Sequence, residues 1–158
     1  MADPSDIPVL LRAARGSYAN TIAARLAADG FDDLPRNGPF VLGGMANQGG
    51  SAVGMIRGLG VSRQAASQLI DTLVLRGYLT REVNPEDRRR MDVELTDRGR
   101  AAGASVRAAI LEVDRELSGK LSAAQMSGLR AGLAALAEIK ERTEVTERTG
   151  RGGQASEF

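Results

Sequence analysis

The sequence has no cysteine, no histidine and no tryptophan. Without cysteine, disulfides and thiolate chemistry are excluded, and without histidine as well, a zinc or other soft-metal site loses its usual ligands. General acid–base or nucleophilic catalysis would have to proceed without its commonest groups, and neither paired carboxylates nor a phosphate-cradling glycine loop stands out. Only seryl or carboxylate chemistry is left open, so the chain is read as a non-enzyme with no cofactor. Aromatics are scarce, two tyrosines and three phenylalanines, so a stacked ligand would find little lining. There is no basic-then-apolar leader pattern and no apolar run of membrane length, from which a soluble, cytoplasmic protein is expected. Charge of one sign is lacking too: 21 basic residues face 20 acidic ones, so any affinity for a polyanion must come from where the charge lies. Lys120 and Lys140 are the only lysines; this arginine bias, with abundant alanine and glycine, fits the codon usage of a GC-rich genome.

What is present concentrates between Gly60 and Gly99. Ser62 is a good N-cap, because its hydroxyl can accept from a first-turn N–H that has no partner inside the helix. From there to Arg76, Ala66, Leu69, Ile70 and Leu73 recur at three- and four-residue steps and define an inward face. Arg63, Gln64, Ser67, Gln68 and Asp71 take the other side, and Gly77 ends the helix as a C′ residue. Leu79–Val83 and Met91–Leu95 then alternate apolar and polar side chains as half-buried strands do. Between them Asn84-Pro85 signals a turn, and Arg88, Arg89 and Arg90 together cannot be buried without partners, so the hairpin tip is expected to be exposed. A polar-faced helix followed by a hairpin with a cationic tip can read DNA in two places, the helix in the major groove and the tip on backbone or minor groove. The stretch as a whole holds seven arginines and seven acids, so only the tip is locally basic.

Gly60-Val61-Ser62, Leu69-Ile70-Asp71-Thr72-Leu73, Gly77-Tyr78-Leu79, Asn84-Pro85-Glu86-Asp87-Arg88-Arg89 and Leu95-Thr96-Asp97-Arg98-Gly99 resemble, in order and spacing, the MarR family of transcriptional regulators. The resemblance implies a mostly α fold with a small β-hairpin wing, a winged helix-turn-helix plus a helical dimerisation layer. It places Arg89 at the wing tip near the minor groove and gives Asp87 the task of orienting the tip or an arginine. Arg90 stands where a small residue is expected. It also implies a homodimer on a palindromic operator, and a small aromatic or phenolic anion as effector in a cleft edged by the first, second and fifth helices. Arg12, Arg15, Tyr18 and Phe40 are the candidates there by position and chemistry, although residues such as Tyr18 and Phe40 are more often core.

The remaining chain supports this organisation. Ser5 can cap a helix from about Ile7 to Ala28 with a stripe of Leu11, Tyr18, Ile22 and Leu26. The Asn37-Gly38-Pro39 interruption predicts a late start for the second helix, because proline is tolerated only in a first turn. Ser51 can cap a short helix whose Val53, Ile56 and Leu59 pack on the recognition helix. Thr96 caps a long helix lined by Val106, Ile110, Val113, Leu117 and Leu121, and Ser122-Ala123-Ala124-Gln125 has capping-box form ahead of a helix lined by Met126, Leu129, Leu133, Leu136 and Ile139. Residues 1–46 are thus assigned to N-terminal helices, 47–99 to the winged lobe, 100–142 to dimerisation helices and 143–158 to a tail expected to be disordered.

Duller readings stand beside these. Gln64, Ser67 and Gln68 could be a solvated helix face, Arg63 a phosphate rather than a base contact, Asp71 a brace within the fold, and the three arginines an ordinary loop tip. Two functions remain open. One is a dimeric, sequence-specific regulator that binds double-stranded DNA, as a ligand-responsive repressor. The other is a winged module whose arginines grip an acidic protein partner.

Overall fold

The computed structural model describes residues 6–49, 51–86, 88 and 91–152. Along them run α1 (Ile7–Ala28), α2 (Gly38–Gln48), α3 (Ala52–Arg57), α4 (Arg63–Leu75), β1 (Leu79–Val83), β2 (Met91–Leu95), α5 (Asp97–Lys120) and α6 (Ala123–Gly152). The chain divides into two units, Met1–Asp114 and Arg115–Phe158, so the division falls inside α5.

Local chemistry sets most of the boundaries. Ser51 Oγ accepts from Gly54 N at 3.1 Å and Ser62 Oγ from Ala65 N at 3.2 Å, each satisfying a first-turn donor. The α1 cap departs from expectation: Asp6 occupies the N-cap without a side-chain cap bond, and Ser5 lies outside the described residues. The second helix does start late, after Asn37, with its proline in the first turn. Gly60 and Gly77, at φ 66° and 73°, make the turns before and after α4, where an L side chain would be strained. Thr96 Oγ accepts from Gly99 N at 3.0 Å and donates to Gly77 O at 2.6 Å, so the residue that starts α5 also ties it to the end of α4.

The first unit is held by one apolar cluster. α1 contributes Leu26, α2 Val41, Leu42 and Met45, α3 Ala52 and Ile56, α4 Leu73, the hairpin Tyr78 and Leu79, and α5 Ala102 and Val106. Along α1 burial falls toward the N-terminus: Leu26 is buried, Tyr18 and Ile22 are half-buried, and Ile7, Val9, Leu10 and Leu11 are exposed. Val53 is 51% exposed, so α3 packs through Ala52 and Ile56 rather than through Val53 as the spacing predicted. A Cβ on Gly103 would lie 2.6 Å from Ala46 Cβ and 2.9 Å from Leu42 O, and one on Gly43 2.8 Å from Val106 Cγ1. These two glycines let α2 and α5 cross at backbone contact. The hairpin is antiparallel, with Leu79 opposite Leu95 and Arg81 opposite Val93.

In the second unit the capping box forms as spaced: Ser122 N donates to Gln125 Oε1 at 2.9 Å and Gln125 N to Ser122 Oγ at 3.3 Å. Leu129, Leu133, Leu136 and Ile139 are 40–50% exposed. α6 extends to Gly152, beyond Arg142 where the loss of the apolar stripe predicts its end; Glu, Arg and Thr there lack a stripe but do not break a helix. Residues 153–158 lie outside the described residues.

Candidate nucleic-acid interface

α4 presents two opposed faces. Leu73 is buried, with Ala66, Leu69 and Ile70 half-buried beside it against the core. On the other side Gln64, Ser67, Gln68, Asp71 and Leu75 fall within a narrow arc at three- and four-residue steps, and all are exposed. Arg63 lies exposed in the first turn. Ser62 uses its oxygen as the cap acceptor, which leaves its O–H free to donate outward. Of the eight residues singled out for DNA contact, these five share one accessible helix surface, and Arg88 is exposed on the wing. Arg89, Arg90 and the structural Asp87 lie outside the described residues.

The base of the wing is fixed by a local turn. Asn84 Oδ1 accepts from Glu86 N at 2.8 Å while its Nδ2 donates to Asp92 Oδ2 at 2.7 Å across the hairpin. The asparagine of the Asn-Pro pair therefore both starts the turn and bridges the two strands. Asp71 accepts from Arg81 on β1, a link between α4 and the wing.

The spacing within α4 and the hairpin gave no sign of a second cluster below the wing. Tyr78, fully buried, donates to Asp33; Arg98 Nη2 donates to Asp33 Oδ1 at 3.0 Å and to the Tyr78 hydroxyl at 3.1 Å, and its Nη1 to Arg76 O at 3.0 Å. The Arg98 guanidinium sits 4.4 Å from the Tyr78 ring centre, a cation–π contact. The tyrosine hydroxyl, helped by the Arg98 charge, holds the Asp33 carboxyl below its ordinary range, and burial together with Asp33 pushes the Tyr78 phenol up. The words containing Tyr78 and Arg98 were visible in sequence; Asp33, 45 residues upstream of Tyr78, was not. A comparable set joins α1 to α5: Asp29 Oδ2 accepts from Ser105 Oγ at 2.6 Å and from Arg25 Nε at 2.9 Å, and both bonds lower the Asp29 carboxyl.

The four effector candidates sit differently from one another. Arg12 and Arg15 are exposed on α1. Tyr18 is half-buried and donates to Asp114 Oδ1 of α5 at 2.5 Å. Phe40 is 52% exposed in the first turn of α2, so it is not the core residue its type suggests. Among the described residues no group of three or more acidic side chains could hold a metal ion, and no helix is long and apolar enough to cross a membrane.

A short helix, a glycine turn, a capped helix with a polar outer face and an antiparallel hairpin define a winged helix-turn-helix protein. Residues 33–90, which contain the short helix, the glycine turn, the capped helix and the first strand of the hairpin, match the model of the MarR family. Similar solved structures agree on the fold. A probable transcriptional regulator from Pseudomonas aeruginosa is 27% identical, with 84% of this chain and 97% of that one covered and a TM-score of 0.60. FabT of Streptococcus pneumoniae, solved in complex with DNA, is 17% identical over 89% of this chain and 99% of its own, at 0.75. BpsR of Bordetella bronchiseptica, whose DNA binding is regulated by 6-hydroxynicotinic acid, is 21% identical over 87% and 96%, at 0.63. No protein of curated function matches the sequence.

Proposed function

We propose that the chain is a cytoplasmic homodimer that binds a palindromic operator in double-stranded DNA and acts as a repressor released by a small aromatic anion. The observation that carries the reading is the exposed arc of α4, with Gln64 and Gln68 one turn apart and Arg63 and Ser62 at its N-terminal end, adjoining a hairpin that carries Arg88. Glutamine side chains offer a donor and an acceptor to base edges, and Arg63, Ser62 and the wing arginines Arg88, Arg89 and Arg90 supply the phosphate and minor-groove contacts that set register. Asp87 orients the tip.

The dimer rests on apolar surface that one copy leaves uncovered. Ile7 and Leu10 of α1 are 62% and 53% exposed, and α6 leaves a four-residue stripe open, more than scattered single exposures. A two-fold pair would set two recognition helices about one DNA turn apart and so demand a palindrome. For the effector, BpsR and its aromatic acid supply the analogy, and Arg12, Arg15, Tyr18 and Phe40 the charge and rings.

Selecting bound duplexes from a random pool, then measuring their affinity across a salt series, tests the reading. Enrichment of a two-fold-symmetric sequence with steeply salt-dependent affinity is expected. Sedimentation should return twice the 16.7 kDa chain mass. Failure to retain any duplex at low salt would overturn DNA binding, and a monomer at micromolar concentration would overturn the dimer.

A further inference from the structure

The exposed arc of α4 contains a residue that should oppose DNA binding. Asp71 lies two turns on from Gln64 and one from Gln68 on the same side of the helix, and its carboxylate is 55% exposed. A helix laid in the major groove on that arc would bring this negative charge among phosphates. Its partner comes from another element. Arg81 follows Leu79 on the same face of β1, and it reaches across to donate through Nη2 to Asp71 Oδ1 while remaining 41% exposed. An ion pair this exposed contributes little to stability, so holding the fold together does not account for it.

We propose that Arg81 is a positioning residue for DNA recognition. It neutralises Asp71 on the recognition face and fixes the base of the wing against α4, so the two DNA-reading surfaces keep one relative setting. The inference rests on the DNA-binding reading above. Two consequences distinguish it from direct phosphate contact by Arg81. Removing Arg81 alone leaves a bare carboxylate facing the duplex; removing both members leaves none. The effects of the two substitutions must therefore be coupled.

The test is a double-mutant cycle on the full chain, using the duplex enriched by the unmodified protein and single-base variants of it. Arg81→Met keeps the aliphatic stem and removes the charge; it should weaken binding roughly five- to tenfold, the scale of one like-charge approach at a few ångströms in water. Asp71→Asn should hold or raise affinity for enriched and variant duplexes alike while narrowing the difference between them, because Arg81 is released and the wing loses its tether. The Asp71→Asn/Arg81→Met protein should recover affinity to within about twofold of Asp71→Asn alone, with melting temperatures unchanged throughout, as expected for an exposed pair. Additive losses in the cycle, or no loss in Arg81→Met, would overturn the inference while leaving DNA binding intact. If the unmodified chain enriches no duplex, the functional reading itself fails and the inference with it.

Discussion

Replacing Gly99 by alanine should destabilise the protein although the position is helical. Alanine is ordinarily the better helix former by about 1 kcal/mol. Gly99, in the first turn of α5, is an exception, because a Cβ there would stand 2.0 Å from Tyr78 O and 3.1 Å from Leu95 Cδ2. Tyr78 O is backbone and already accepts from Thr96 N at 3.1 Å, so it cannot yield like the end of a flexible side chain. About 1 Å of movement between α5 and the entry to β1 would be needed to reach even a tight contact. Overpacking of this kind costs about 1–3 kcal/mol, occasionally more, which exceeds the propensity gain. A net loss of about 2 kcal/mol corresponds to a fall in melting temperature of about 5–10 °C for a unit of this size. Gly119, in the last turn of α5, supplies the control: nothing lies within 4 Å of its Cβ position, so Gly119→Ala should be neutral or stabilising by several tenths of a kcal/mol. Urea unfolding followed by circular dichroism, at one fixed protein concentration, measures both. A Gly99→Ala protein as stable as the unmodified chain would refute the seating of α5 on the Tyr78 carbonyl, and with it the account of how the hairpin is held to the helix that follows.

Further outcomes follow from the interface and from the two carboxylates that accept hydroxyl hydrogen bonds. Arg89→Ala should weaken affinity for the enriched duplex with little change in melting temperature; unchanged affinity would show that the wing tip does not touch DNA. Gln68→Ala should change the preference among duplexes by about 1–3 kcal/mol at the base it contacts, whereas an equal loss on every sequence would reassign it to the backbone. On the acid side, Asp33 is held down chiefly by the Tyr78 hydroxyl and Asp29 chiefly by the Ser105 hydroxyl. A carboxyl lowered in the folded state contributes stability above its unfolded pKa and loses it as pH falls through the lowered folded value. Unfolding midpoints should therefore hold from neutral pH down to the ordinary carboxylate range and drop below it, with a shallower drop in Asp33→Asn; identical slopes in the two proteins would remove Asp33 from the acid response.

Much of the recognition half was legible because its signals are local. A serine cap acts on an N–H three residues away, a glycine at positive φ acts on its own turn, and strand alternation needs five residues, so Ser62, Gly77 and the two strands of the hairpin could be placed from the chain alone. Proline chemistry likewise put the start of α2 beyond Asn37. Where helical spacing misled, at Val53, it reported which side chains share a face but not which face meets a neighbour.

The sequence by itself determined the elements, the caps of α3, α4, α5 and α6 and the polar arc of α4, since each depends on residues a few positions apart. Only the tertiary structure decided that Asp33, Tyr78 and Arg98 form one cluster, that Gly43 and Gly103 set the crossing of α2 and α5, and that Arg81 closes over Asp71. Those contacts join residues 10 to 65 positions apart, and no periodicity along a chain specifies which distant side chains will be brought within hydrogen-bonding reach when its apolar faces are buried together.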